Sequence, residues 1–271
     1  MLFTVDKTLK LLFGRVNNCS QEKSWCKIYR RRFFIAHFIV GLMVEFNIDW
    51  YKKLLEGTNE KEVLVQKIAS FLEGKPHESC LEIGLGISPY FAQNLLKYFK
   101  KYVIVENRLL KEELPTGIEL INKDWEKLDI DEKFDVIVAS HVIYYFKDKK
   151  KAFEKMLSQL KEGGRIFFVV NGKESDYGPL KLAFSKLINE EYLFTYDELK
   201  DILEGHNVRE YTLPSAVNFS SYEDLFETLK ISFDAYPKEY EHLKDKIIEY
   251  FKENIKGNKF VIDQKIIEVI K

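Results

Sequence analysis

Residues 80–88 read CLEIGLGIS. A short apolar run with one acid, Glu82, ends in two glycines, Gly84 and Gly86, one residue apart. A strand that turns through Gly-x-Gly into a helix lets backbone approach a ligand closely, because glycine has no side chain in the way. The dinucleotide fingerprint asks for a third glycine where Pro89 stands, so the nicotinamide pattern is not met. Pro89 instead suits the first position of a helix, with Ser88 as its N-cap.

Outward from this turn, strands alternate with helices. SCLEIG (79–84), KYVIVEN (101–107), part of GIELINKD (117–124), KFDVIVASH (133–141) and GGRIFFVVNG (163–172) read as strands. PYFAQNLLKYFK (89–100) and KKKAFEKMLSQL (149–160) read as helices between them. That alternation predicts βαβ units and a parallel sheet, and the unbroken runs VIVA and IFFVV suit strands covered on both faces. Further on, TYDELKDILEG (195–205) predicts a helix with a capping box from Thr195 to Glu198, and NVREYTL (207–213) a strand. Two helical stretches (221–234 and 237–255) and a closing strand, KFVIDQKIIEVI (259–270), suit an antiparallel final pair. Before the turn, 21–46 reads as a helix, 48–57 as a second with Asp49 as its N-cap, and 58–74 as a third capped by Thr58 or Asn59.

The 271 residues fit one large domain with additions, and the 21 Phe and 15 Tyr supply a sizeable core. A net charge of −1 argues against a broad nucleic-acid surface. Three cysteines, Cys19, Cys26 and Cys80, form no paired framework and read as reduced thiols in a cytoplasmic protein. The apolar run behind Arg30 to Arg32 imitates a signal peptide but begins too far from the N-terminus, has no small-residue cleavage site after it and is too short to span a bilayer, so it reads as a buried helix, with a membrane-surface helix as the alternative. No metal, nucleic-acid or membrane partner is expected.

Glu82 gives Glu-x-Gly-x-Gly-x-Ser, which resembles motif I of the class I S-adenosylmethionine-dependent methyltransferases. Their cofactor carries an ammonium and a sulfonium and no phosphate, so a carboxylate beside the loop makes sense. Other features follow in order: Glu106 at the end of the second strand, Asp124 and Trp125 after the third, FDVIVASHVIYYF (134–146) and LKEGGRIFFVV (160–170). The resemblance implies a Rossmann-like, seven-stranded, mostly parallel sheet with an antiparallel last strand and helices on both faces, behind an N-terminal helical addition. It assigns cofactor contacts to Glu82, Gly84, Gly86, Ser88, Glu106, Asp124, Trp125 and Ser140. Glu106 would hold both ribose hydroxyls, Asp124 the adenine amino group, and Trp125 would stack on the base. Ser88 departs from the family's third glycine, while Asp135 reads as a turn anchor outside the site.

From about Trp50 onward the chain is similar to histamine N-methyltransferase and its bacterial relatives, through FDVIVASHVIYYFKD, FFVVNGKESDYGPLKLAF and TYDELKDIL. That resemblance implies catalytic roles for His141, Glu60 and Tyr144, with Glu60 at the acid position and His141 in place of an amide. Gln264 or its neighbour Asp263 falls near the second amide, and Tyr51, Tyr145 and Tyr177 would join Tyr144 as aromatic walls. The expected activity is methyl transfer to a nitrogen or oxygen of a small molecule. A methyltransferase of RNA or protein, and a non-catalytic cofactor-binding protein, stay open as alternatives. Residues 1–57 are expected to form a lid or a dimer interface, and 58–271 the methyltransferase domain with lid helices near 175–200 and 221–255. The protein would then be a monomer or a homodimer.

Overall fold

The structure, a computed structural model, describes residues 47–108 and 114–271. The helix expected over 21–46, its proposed lid or interface role, and Cys19 and Cys26 lie outside the described residues. Residues Asn47–Lys271 form one compact unit, which includes the helix at 48–57.

Seven strands make one sheet: β1 (His77–Ile83), β2 (Phe99–Val105), β3 (Ile118–Ile121), β4 (Phe134–Ser140), β5 (Leu160–Asn171), β6 (Asn207–Asn218) and β7 (Lys259–Ile270). Their order is β3-β2-β1-β4-β5-β7-β6. β1 to β5 pair in parallel, and β7 runs antiparallel between β5 and β6. The order reverses between β1 and β4, which opens a crevice at the carboxyl ends of the strands, where open α/β sheets bind ligands.

Strand alternation sends successive residues to opposite faces, and both faces are packed. Leu81, Val103, Ile137 and Phe168 enter one core with Phe153, Met156 and Leu199. Cys80, Tyr102, Val136 and Phe167 enter the other with Leu64, Ile68, Phe91 and Leu95. Phe167 and Phe168 are adjacent, fully buried, and in opposite cores, each burial contributing about 1.5–3 kcal/mol. Helices α1 (Ile48–Gly57), α2 (Glu60–Leu72), α3 (Tyr90–Leu95), α4 (Lys149–Ser158), α5 (Tyr177–Leu187), α6 (Thr195–Ile202), α7 (Tyr222–Thr228), α8 (Pro237–His242) and α9 (Lys244–Asn254) complete the described unit.

Several local expectations are corrected. Asn47, not Asp49, caps α1: its side chain accepts the N–H groups of Asp49 and Trp50 at 3.1 and 3.0 Å. Pro89 sits at the cap of α3 with ψ of 34°, so the helix starts one residue later than expected and Ser88 does not cap it. It is also short, passing through a 3₁₀ turn (Leu96–Tyr98) into β2. Thr195 is the first helical residue of α6, behind Phe194 at the cap, so the expected capping box does not form. Gly163 and Gly164 lie inside β5, at a register shift against β4, rather than in a turn before it. Pro214 is tolerated in β6 because that strand stands at the end of the sheet.

Candidate active site

The turn after β1 is shaped by its glycines. Gly84 has φ of +78°, and a Cβ there would lie 2.9 Å from the Val142 side chain. Gly86 has φ of +71°, and its Cβ would come 3.3 Å from the Tyr51 ring. Glu82 is buried behind the turn and accepts the Tyr102 hydroxyl at 2.8 Å. Burial pushes its carboxyl up to about 7, against the downward pull of the Tyr102 hydrogen bond and Lys61.

Glu106 follows β2 and is also buried. One of its oxygens accepts the Leu85 N–H at 2.9 Å, and the other accepts the Arg108 N–H and Nε, each at 3.0 Å. Arg108 Nη2 also donates to the Gly86 carbonyl at 2.7 Å. Glu106 is thus tied to the glycine turn by the turn's backbone and by this arginine, which the sequence reading missed. Asp124 caps the turn Trp125–Lys127 by accepting the Glu126 N–H at 3.0 Å. Trp125 departs from expectation. Its ring is packed in the core, 3% exposed, with Lys155 Nζ 4.4 Å from its centre, so the side chain does not present a face to an adenine. Asp135 accepts the Ser79 N–H and pairs with Lys161, which is the anchoring role expected of it.

The second cluster is assembled from distant elements. The corner between α1 and α2 is stitched to β6, where Thr58 bridges Val217 and the Asn59 side chain accepts the Ala216 N–H at 2.9 Å. This delivers Glu60, the first residue of α2, to Gln264 on β7. Gln264 Nε2 donates to Glu60 Oε2 at 3.2 Å and to Ser215 Oγ at 3.1 Å. His141 reaches the same carboxylate from the end of β4, with Nε2 3.3 Å from Glu60 Oε1. That contact has ion-pair distance, but Nε2 is not in line for a hydrogen bond. The ring is aimed there by a backbone φ of +51°, a sparsely populated region for a side-chain-bearing residue.

Tyr144 completes the chain of contacts. Its hydroxyl accepts the Asn171 N–H at 2.8 Å and stands 3.3 Å from His141 Nδ1. Since the hydroxyl oxygen accepts from Asn171, its own proton is available to Nδ1. The hydroxyl oxygen can accept from both the Asn171 N–H and Nδ1, so either ring nitrogen of His141 can carry the proton. Burial would raise the Glu60 carboxyl, but His141 and Lys61 outweigh it and hold the group below the usual carboxylate range.

Tyr145 stands edge-on to Tyr144 and is half exposed. Tyr177, on α5, is buried, and Tyr51 packs by Gly86. Of the two candidates on β7, Gln264 is fully buried beside Glu60, whereas Asp263 lies on the opposite face against Gly172. Asn171 was missed; it stands opposite Gln264 in the β5–β7 register. Ser140, at the end of β4, is half-buried. Three buried polar atoms gather here without a hydrogen-bond partner among the described residues: His141 Nε2, Asn171 Oδ1 and Gln264 Oε1.

Sheet order, the reversed seventh strand and a glycine turn backed by buried acids define a class I S-adenosylmethionine-dependent methyltransferase. A family model described as a methyltransferase domain matches residues 57–226, and the chain belongs to that family. Its cofactor is S-adenosyl-L-methionine. The residues fit that cofactor, because the cradle at Gly84 is one a Cβ would fill and Glu106 is fixed beside it.

The chain is 25% identical over 192 residues to malonyl-[acyl-carrier protein] O-methyltransferase 2 of Ilyobacter polytropus, covering 67% of this chain and 65% of that protein. It is 29% identical over 121 residues to an uncharacterized methyltransferase of Bacillus cytotoxicus, covering 42% and 57%. An uncharacterized protein of Methanocaldococcus jannaschii is 32% identical over 93 residues, covering 32% and 25%. The chain thus spans between a quarter and about two thirds of the length of these curated relatives. Among solved structures, a Bacillus halodurans protein assigned as a methyltransferase matches with a TM-score of 0.54 at 15% identity, covering 76% of this chain and 98% of that one. The YcgJ protein of Bacillus subtilis matches with a TM-score of 0.52 at 18% identity, covering 78% and 98%. These structural likenesses are likenesses of fold. Among the described residues, no helix is long and apolar enough to cross a membrane.

Proposed function

We propose that the protein methylates a nitrogen of a small amine or imidazole compound, as its resemblance to histamine N-methyltransferase implies. The observation that carries this reading is the buried, charge-stabilised Glu60 beside two acceptor atoms without partners among the described residues, Gln264 Oε1 and Asn171 Oδ1. Buried acceptors cost free energy until a donor meets them, so the cluster asks for a ligand rich in N–H groups, and a cationic one suits Glu60.

S-adenosylmethionine supplies an activated methyl group when bound. The chain's own contribution is to orient the acceptor and keep water away from it. Glu60 and Gln264 would fix one pole of the acceptor, and Tyr144 and Tyr145 would wall its body. The nucleophilic nitrogen must present a lone pair, so it must arrive neutral. His141 Nε2 stands 3.3 Å from Glu60 Oε1, which makes it first a positioning group for that carboxylate. As a neutral imidazole it can also take up a proton from the acceptor.

A second reading is O-methylation of a carboxyl group, prompted by the malonyl-[acyl-carrier protein] O-methyltransferase relative. A buried ionised Glu60 would repel such an acceptor, which favours the amine. The test is a methyl-transfer screen over amines, imidazoles, phenols and carboxylates, following formation of S-adenosylhomocysteine. Turnover confined to nitrogen acceptors is expected. Turnover of carboxylates alone, or only of an acyl-carrier protein, would overturn the reading.

A further inference from the structure

The resemblance gives Glu106 the ribose hydroxyls of the cofactor, yet the chain itself fills that carboxylate. An ionised carboxylate offers about four lone-pair sites. One oxygen of Glu106 accepts the Leu85 N–H at 2.9 Å and Arg108 Nη2 at 3.2 Å. The other accepts the Arg108 N–H and Nε, each at 3.0 Å. Two of these donors are backbone groups and two belong to one guanidinium. Two ribose hydroxyls need two acceptor sites, and the sites that a side-chain movement can vacate are the two the guanidinium holds.

The surroundings separate what can move from what cannot. Asn122 Nδ2 donates to the backbone carbonyls of Glu106 and Arg108, each at 2.8 Å, and so pins the chain on both sides of Asn107. The Glu106 side chain is 3% exposed and that of Arg108 33%. The guanidinium can therefore rotate towards water with no change of backbone, while the carboxylate stays where it is. Arg108 also donates to the Gly86 carbonyl at 2.7 Å, so in its present place it lies across the glycine turn as well as on Glu106.

We propose that Arg108 competes with the ribose of the cofactor for Glu106, its guanidinium leaving when the hydroxyls arrive and returning when they go. The contact keeps a buried carboxylate paired at every stage of the cycle, since one set of donors replaces the other. It also lowers affinity for the nucleoside by the free energy of the bonds that must break, and the same free energy favours release of the spent cofactor. The proposal concerns the cofactor and is independent of which acceptor is methylated.

The test is calorimetric titration of the full chain with S-adenosylhomocysteine and with an analogue lacking both ribose hydroxyls. Arg108→Met should tighten S-adenosylhomocysteine about ten- to a hundredfold, the range for charge-assisted bonds that no longer have to break, and leave the analogue within about twofold. Arg108→Lys, a point charge in place of a fork, should fall between the two. Unchanged or weaker binding of S-adenosylhomocysteine by Arg108→Met, or an equal change for both ligands, would overturn the proposal and make Arg108 a fixed strut of the turn. A second measurement needs no variant. Heteronuclear NMR of the Arg108 Nε–H in the unmutated chain should show slow exchange with water, fast exchange on saturation with S-adenosylhomocysteine, and slow exchange with the analogue. An Nε–H that stays protected with S-adenosylhomocysteine bound would also overturn it.

Discussion

The glycine turn and the Glu60 cluster lie at the same end of the sheet but are built in opposite ways. In the turn, contacts are short in sequence and join side chains to the backbone of the glycine loop: Leu85 and Glu106, which share a hydrogen bond, are 21 residues apart. In the cluster, Glu60 and Gln264 are 204 residues apart and meet through side chains. A site made by backbone conformation tolerates almost no change of shape. A site made by side chains from α2, β4, β5 and β7 can be altered one contact at a time.

The largest effect should therefore come from the turn. Gly84→Val adds atoms where a single Cβ already meets Val142, at a φ that side-chain-bearing residues rarely adopt. Cofactor binding should fall below detection, with a stability loss of about 1–3 kcal/mol. A folded variant that binds S-adenosylmethionine normally by calorimetry would break the comparison at its first half.

The two buried acids should answer pH with opposite signs. Folding raises the Glu82 carboxyl from 4.5 to about 7, so the native chain holds a proton that the unfolded chain releases. Relative to Glu82→Gln, the native protein should lose about 3 kcal/mol of stability as pH rises from 4.5 through 7. Glu60 is lowered on folding, so the native chain binds fewer protons there. Its advantage over Glu60→Gln should be present above pH 4.5 and fade as pH falls through its folded value. Denaturant titrations of the three proteins across pH would show this; slopes of the same sign would refute the contrast.

The smallest effect belongs to Tyr144→Phe, which removes the hydroxyl between the Asn171 N–H and His141 Nδ1. Stability should drop by about 1 kcal/mol for the orphaned N–H, with KM for an amine raised several-fold. Cofactor affinity should stay unchanged, and a matching loss of it would show that the two halves act as one.

The same contrast explains what could be read beforehand. The positions of Gly84, Gly86 and Glu106 were legible because a turn and the end of the next strand are fixed by local pattern. Trp125 was misread because position after a strand does not tell whether a ring faces the crevice or the core. Gln264 could not be separated from Asp263 without the register of β7, which decides the face each one takes. Asn171 and Arg108 left no signal of their own, since one depends on pairing across the sheet and the other on where a long side chain folds back. The failed capping box shows a related limit. Thr195 has the right spacing to Glu198, but the helix begins one residue too early for the threonine to serve as its cap.

β7 follows β6 in sequence yet lies between β5 and β6. Until it inserts, both neighbours keep an open edge, and Glu60 has no Gln264 to meet. Its pairing is long-range, and such pairings form late because their loop closure must come first. The Leu85–Glu106 bond of the glycine turn needs no residue beyond Glu106, whereas the Glu60 cluster needs β7. The twelve residues of β7 thus close both the sheet and the Glu60 cluster.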